Sequence, residues 1–319
     1  MRRWKRREIL RVGTRELLRR ETVQTVAVQL SDIACVAVDF VLATVMQQLL
    51  AAEMRDTVPG RVAVIATGQF GAHEISYDSP LGLICVYDTA GAPDAQPSDA
   101  RRFFSEAARQ LTGALEAETR DGRLYDVAQA TWPQADTRSM ACSIEEFAAC
   151  FDGSVDRRQL TPLTRTRAAA GDIDLGGRFI ASIQPIVYAA ADHAAAPGPA
   201  GRMAQEAHPY AEIDELTQAF QLSHGGAHPS LRDAGTLAAL DAMCRAGLIA
   251  EPARRELDHA YIFLRSAEHR RQLGVEEDVE PQLAASRERV RELCERIGRS
   301  TMDDGRSTMD DGRSTIDDV

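Results

Sequence analysis

The chain has 319 residues, enough for two or three compact units with cores of their own. The apolar fraction of 44% is that of an ordinary globular protein, and an aromatic fraction of only 5% favours helices with small-residue contacts over a β-sandwich. The formal net charge of −11 argues against a nucleic-acid-binding protein, because phosphate contacts require lysine and arginine.

A basic cluster at the start of the chain is a local exception to this acidic balance. It consists of Arg2, Arg3, Lys5, Arg6 and Arg7. We interpret it as the solvated start of a helix, in which the basic side chains clamp the helix to the rest of the protein or face solvent. A nucleic-acid or membrane patch is the alternative.

Apolar residues at helical spacing predict two helices over residues 1–57, the second starting at Glu21 and Thr22. The most apolar run, from Ile33 to Leu50, contains Asp39 and two glutamines. It fits a buried helix better than a membrane span, and the chain shows no signal-peptide pattern.

Cysteine usage indicates a cytoplasmic protein with reduced thiols. The cysteines lack Cys-X-X-Cys spacing, so a zinc site is not predicted, and most lie within apolar patterns, as core residues do. The six are Cys35, Cys85, Cys142, Cys150, Cys244 and Cys294.

The most informative stretch runs from Gly60 to Asp88. Val62 to Ala66 predicts a buried strand, a loop with Gly68 and Gly71 follows, and Leu81 to Tyr87 predicts a second strand. Glycine lets a backbone approach phosphate closely, and backbone N–H groups can then point at the phosphate. The pattern is therefore typical of a frame for a nucleoside triphosphate.

This stretch resembles the nucleotidyltransferase core of bacterial glutamine synthetase adenylyltransferase, which adds AMP to glutamine synthetase and, in its other half, removes it. The family's pattern is roughly GKLGGREL-N-x-x-SD-x-D-LIF-VYD. Its two metal-binding aspartates fall here at Pro80 and Gly82, and its lysine falls at Gln69. The residues kept are Gly68, Gly71, Glu74, Tyr77, Ser79, Leu83, Ile84, Val86, Tyr87 and Asp88.

A second block, GRLYDVAQATWP, resembles the family's GRLYDVDMRLRP. The third metal-binding aspartate falls at Ala128, and two family arginines fall at Ala130 and Trp132. All three metal-binding carboxylates are thus missing from a match that is otherwise good. Two further blocks extend the match, LTRTRAAAGD at 163–172 and AYIFLRSAEHRRQ at 260–272.

The resemblance implies an α+β fold, with a nucleotidyltransferase-like core flanked by helices and followed by a helical bundle. The predicted segments are a helical lead-in at 1–57, the nucleotidyltransferase-like domain at 58–175 and the bundle at 176–298. Within the core, a helix is expected over Asp99 to Glu118, a short strand over Leu124 to Val127, and a capping box at Ser143 and Glu146.

The tail repeats one heptad three times, as GRSTMDD at 298–304 and 305–311 and as GRSTIDD at 312–318. Glycine, serine and aspartate at this density cannot bury a core, so we predict disorder over 299–319.

The resemblance implies possible nucleotide contacts and two substitute carboxylates, but no metal ligand at the family positions. Glu74 and Asp78 are the remaining catalytic candidates. Asp78 lies two residues before Pro80, and on a strand such a shift moves the group by roughly 6–7 Å. The possible nucleotide contacts are Gly68, Gly71, Ser79, Arg165 and Arg167.

Histidines do not add a metal site to this prediction. His224 and His228 are four residues apart, but Gly225 and Gly226 between them interrupt the helix that such a pair would need. We interpret both, and His269, as structural or exposed.

Three functions remain open at this point. The first is a catalytically inactive relative of the adenylyltransferase that acts as a regulatory or binding module of nitrogen metabolism. The second is an active enzyme that uses ATP and Mg²⁺, or phosphate, to add or remove AMP on glutamine synthetase with relocated ligands. The third is an interaction protein for glutamine synthetase or a PII-type regulator. No nucleic-acid or membrane partner is predicted.

Overall fold

The computed structural model describes residues 1–92, 96–128, 141–151, 157–188, 208–275 and 280–310. Two compact units account for them, one within Met1–Ala189 and the other within Ala190–Val319. Both contain helices, and the sheet lies in the first.

The first unit begins with two helices, α1 (Arg2–Leu17) and α2 (Val23–Ala52). The hydroxyl of Thr22 accepts a hydrogen bond of 3.2 Å from the N–H of Thr25, which is the N-cap that confirms the predicted start of α2. By length and composition α2 could cross a membrane, but 56% of its most apolar window is buried inside the unit. It serves there as a core helix, as its polar residues predicted.

A mixed sheet forms the centre of the first unit, in the order β3-β2-β1-β5 with β4 also paired to β2. The predicted pair of strands is confirmed: β1 and β2 run antiparallel, with Arg61 opposite Asp88 and Thr67 opposite Gly82. β5 is antiparallel to β1, whereas β3 and β4 are parallel to β2. The strands are β1 Arg61–Thr67, β2 Leu81–Asp88, β3 Val127–Ala128, β4 Ala141–Cys142 and β5 Thr166–Gly171.

Helices complete the first unit. The predicted capping box is confirmed, because the Ser143 hydroxyl accepts from the Glu146 N–H and the Glu146 carboxylate accepts from the Ser143 N–H. The short strand lies at Val127–Ala128, at the end of the predicted range and one residue beyond it. The remaining helices are α3 Gly68–Gly71, α4 Pro97–Glu116, α5 Ile144–Ala149, α6 Arg157–Leu160 and α7 Ile173–Tyr188.

The boundary predicted between residues 175 and 176 does not match the observed units. Helix α7 packs against β1 and β5, and an added Cβ at Gly176 would lie 2.6 Å from the Cβ of Ala168 on β5. This glycine lets α7 approach the sheet closely, so the helix belongs to the first unit, which reaches Ala189. The apolar pattern of α7 does not reveal whether it covers a sheet or joins a bundle.

The second unit is a set of helices with an apolar core. Its buried apolar residues include Ile213, Leu216, Leu240, Leu257 and Leu264. The helices are α8 Ala211–His224, α9 Thr236–Arg245, α10 Glu251–Gln272 and α11 Glu280–Asp310. The helical bundle predicted for this part of the chain agrees with these elements.

Buried polar groups in the second unit are held by specific partners. Asp214 on α8 accepts a 2.9 Å hydrogen bond from the Thr236 hydroxyl on α9. Arg265 on α10 donates to the Tyr261 hydroxyl at 2.8 Å and lies 5.0 Å from the ring centroid of Tyr210. Because a buried charge without partners is costly, these contacts fix the packing of the three helices.

The tail departs from the predicted disorder over residues 299–310. Helix α11 continues through this part of the heptad repeat to Asp310, and residues 311–319 lie outside the described residues. Once a helix has formed, each further residue adds a backbone hydrogen bond at little entropic cost. An established helix over 280–298 therefore extends through residues that would not start one.

The cysteines are free thiols, but only Cys85 is fully buried and the other five are partly exposed. The prediction that all six are core residues was too broad. Burial raises the pKa of the Cys85 thiol to about 12, so this thiol is poorly nucleophilic.

The stability of the second unit should depend on Glu215. Burial, with the charges of Glu212 and Asp214, raises the pKa of Glu215 to about 7. The folded state then binds more protons than the unfolded state between about pH 4.5 and 7, so stability falls as pH rises through that window. Glu215→Gln should remove this decline and stabilise the protein at pH 8 by about 1 kcal/mol, after allowance for solvent screening.

Urea unfolding at pH 5 and pH 8 measures this difference. Glu256→Gln, at an exposed position of α10, is the matched control and should leave the pH dependence unchanged. Parallel pH profiles for wild type and Glu215→Gln would contradict the assignment.

Candidate functional site

The predicted phosphate loop connects β1 to β2 and is closed by its own side chains. Gly68 begins α3 with a φ of 58°, a backbone conformation that favours glycine. The Ser79 hydroxyl donates to Oε1 of Gln69 at 3.2 Å and accepts from the N–H of Ser76 at 2.9 Å. Gln69, which replaces the family's lysine, therefore holds Ser79 within the loop.

The structure brings two of the three lost metal positions together. Gly82 on β2 and Ala128 on β3 are directly paired across the parallel strands. Pro80 is exposed and lies just before β2. The family alignment made from sequence is consistent with this register. Proline, glycine and alanine carry no side-chain oxygen, so these positions do not fit the oxygen donors that Mg²⁺ requires.

Space at Gly82 is also closed. A Cβ added at this residue would lie 2.4 Å from Oγ1 of Thr67 and 2.9 Å from its carbonyl oxygen, on the neighbouring strand. The hydroxyl could rotate away, but the carbonyl belongs to β1 and would have to move with the strand. An aspartate at position 82 would therefore require rearrangement of the β1–β2 pair, beyond a change of one side chain.

The carboxylates nearest these positions already have basic neighbours. Glu74 lies 3.9 Å from the guanidinium of Arg165, whose side chain is only 1% exposed. Asp126 forms an ion pair with Arg123. Asp78 is exposed on the loop before β2.

Asp88 at the far end of β2 has a structural role. It binds Arg61 at 2.7 Å and is also paired with Arg178. Burial alone would raise the pKa of Asp88, but the hydrogen bonds from these two arginines outweigh it and lower the pKa. The contact with Arg61 joins β1 to β2 directly.

Other predicted nucleotide contacts take part in packing. An added Cβ at Gly71 would lie 2.0 Å from the carbonyl oxygen of Arg165, so glycine is required there for backbone approach. Arg167 donates to the carbonyl of Phe70 at 3.1 Å and contacts the Cys35 sulfur at 3.3 Å. A nucleotide role for Gly68, Gly71, Ser79, Arg165 and Arg167 stays a prediction.

The histidines singled out from the sequence lie in the second unit. The ring of His224 stacks on Phe220 with centroids 5.5 Å apart, and burial, with the charge of His228, lowers its pKa. His269 is fully buried. Over the described ranges, no group of three or more histidine, cysteine, aspartate or glutamate side chains is placed to hold a metal ion. The family arginine positions at Ala130 and Trp132 lie outside the described residues.

Two features of this site were missed by sequence reasoning. The hydroxyl of Tyr77 donates to Glu16 on α1 at 2.7 Å, and Lys5 on α1 donates to the carbonyl of Leu124. The basic cluster signalled a clamp but not its partners, because contacts more than 60 residues apart leave no local pattern. The blockage at Gly82 could have been found from the predicted antiparallel register.

The mixed α/β arrangement of the first unit is compatible with a nucleotidyltransferase-like core. The family model described as "Glutamate-ammonia ligase adenylyltransferase" matches residues 1–182. This chain therefore belongs to that family, which confirms the resemblance found in the sequence. A second model, described as "GlnD PII-uridylyltransferase", matches residues 211–319.

Curated relatives share the description bifunctional glutamine synthetase adenylyltransferase/adenylyl-removing enzyme. The protein from Streptomyces coelicolor is 30% identical over 286 residues, covering 84% of this chain and 28% of the relative. The proteins from Xanthobacter autotrophicus and Bradyrhizobium diazoefficiens are 29% and 30% identical, covering 66% and 67% of this chain and 24% of each relative. The chain thus spans less than a third of the length of these relatives.

Gly71 should tolerate no side chain, whether or not a nucleotide binds. Gly71→Ala places a methyl group against the Arg165 carbonyl, so we expect a loss of about 1–3 kcal/mol in urea unfolding. Gly113→Ala, where nothing lies within 4 Å of the added Cβ, is the control. It sits inside α4 and should gain about 0.5–1 kcal/mol. Equal effects of the two substitutions would refute the packing role of Gly71.

Proposed function

We propose that this chain is a glutamine synthetase adenylyltransferase-like regulatory or binding module that does not carry out metal-dependent nucleotidyl transfer. One observation carries the proposal: the three positions at which the family has metal-binding aspartates are Pro80, Gly82 and Ala128. The pairing of Gly82 with Ala128 supports the assignment of these positions.

The size of the expected defect follows from the role of the metal. In nucleotidyl transfer, divalent ions stabilise charge on the attacking and leaving oxygens, which contributes several kcal/mol. Each loss of about 1.4 kcal/mol slows a reaction tenfold. A site without these carboxylates would be slower by several orders of magnitude, and the nearby Glu74 and Asp126 are already matched with arginines.

The proposed partners come from the family. The relatives are described as acting on glutamine synthetase, and the model that matches the second unit is described as a PII-uridylyltransferase. We therefore propose glutamine synthetase or a PII-type regulator as the binding partner, in the cytoplasm. Neither ATP nor Mg²⁺ is required by this proposal.

The catalytic part of the proposal is tested by incubating the chain with glutamine synthetase, labelled ATP and Mg²⁺ or Mn²⁺. We expect no AMP incorporation above background, because the donor set cannot hold the metal. The Streptomyces coelicolor relative under the same conditions is the positive control. AMP transfer that disappears in Asp78→Asn would instead establish an active enzyme with relocated ligands.

The binding part is tested separately, by pull-down of purified glutamine synthetase and of purified PII protein without nucleotide. We expect one of them to be retained, with no change when ATP and Mg²⁺ are added. Retention of neither protein would exclude the proposed partners and leave the catalytic result unaffected.

A further inference from the structure

Helix α1 is fastened to both chain segments that flank the lost metal positions. Toward its start, Arg2 donates to the carbonyls of Ala114 and Ala117 at 3.1 and 2.9 Å. Toward its end, Glu16 accepts from the hydroxyl of Tyr77 at 2.7 Å. Thus α1 reaches the segment after α4 that leads into β3 and also the loop that leads into β2.

Lys5 lies between these two attachments and brings a positive charge to the same place. Its ammonium group donates to the carbonyl of Leu124 and lies 3.8 Å from the ring centroid of Tyr125. Burial lowers the pKa of Lys5 to about 8, and the charges of Asp78 and Asp126 act in the opposite direction, favouring the protonated form.

The two carboxylates that face Lys5 occupy matching places in the chain. Asp78 is two residues before Pro80, and Asp126 is two residues before Ala128. The segments meet directly, since the N–H of Leu81 donates to the carbonyl of Asp126 at 2.8 Å. The acidic groups closest in sequence to two of the lost ligands therefore share one ammonium group.

We propose that Lys5 is a built-in counter-cation for Asp78 and Asp126, through which α1 holds the β2 and β3 segments together without a divalent ion. This inference rests on the proposed loss of the metal site. Its test does not measure AMP transfer, so the two proposals can fail independently.

A tethered ammonium group has an advantage over a free ion. Its effective concentration at the carboxylates is set by the helix that carries it, whereas a free cation must be taken from solution and partly dehydrated. Arg123, paired with Asp126, adds a second positive charge that repels a divalent ion. The wild-type protein should therefore be insensitive to Mg²⁺ and Mn²⁺ at millimolar concentration.

The experiment is a double-mutant cycle on the full chain, with Lys5→Met, Asp78→Asn and the combined variant, read by thermal unfolding at low salt. Lys5→Met removes the charge at similar length and should lower Tm by about 2–6 °C. The combined variant should lose less than the sum of the single losses, because each substitution removes the same interaction. Arg7→Met, on the same helix with a side chain 73% exposed, is the control and should show no coupling to Asp78.

Divalent ions provide the second measurement. With Lys5→Met, millimolar Mn²⁺ should raise Tm and bind at least about tenfold more tightly than to wild type, and Asp78→Asn should abolish that gain. If Lys5→Met does not fold, Asp78→Asn alone still decides: it should lower Tm at low salt but not at high salt. Stabilisation of wild type by Mn²⁺, or additive losses in the cycle, would overturn the proposal.

Discussion

The antiparallel pairing of β1 with β2 is the constraint on which the first unit depends. Its register sets Thr67 opposite Gly82, and the ion pair of Arg61 with Asp88 joins the other ends of the same strands. Every other strand is placed through these two, since β5 pairs with β1 and both β3 and β4 pair with β2. The close contact between Thr67 and Gly82 is thus part of the pairing that organises the sheet.

This arrangement distinguishes a lost site from an altered scaffold. The strands that would present ligands keep the expected order, and Gly82 and Ala128 still meet. What has changed is chemical: oxygen donors are absent, Gln69 holds Ser79 within the loop, and the remaining carboxylates have basic neighbours. A fold can persist through such changes because its stability comes from the apolar core and the strand pairing, to which solvent-facing ligands contribute little.

Sequence patterns predicted local structure well and distant contacts poorly. The strands around the glycine loop, the Thr22 cap and the Ser143 capping box each depend on neighbouring residues, and each was predicted. The place of α7 depends on Gly176 meeting Ala168, and the anchoring of α1 depends on partners about 60 to 120 residues away. No periodicity encodes such pairs. The glycines were ambiguous for a related reason, because close approach to a neighbouring backbone and close approach to phosphate require the same missing side chain.

The helical course of α11 into the heptad repeat gives those duplicated codons a geometric meaning. Seven residues are nearly two helical turns, so each copy that is helical lengthens the rod by about 10 Å and returns it to almost the same rotational setting, offset by roughly 20°. Gain or loss of a copy by replication slippage would therefore change the reach of the helix in fixed steps. Such a segment can vary in length between strains without changing which side of the rod faces a neighbour.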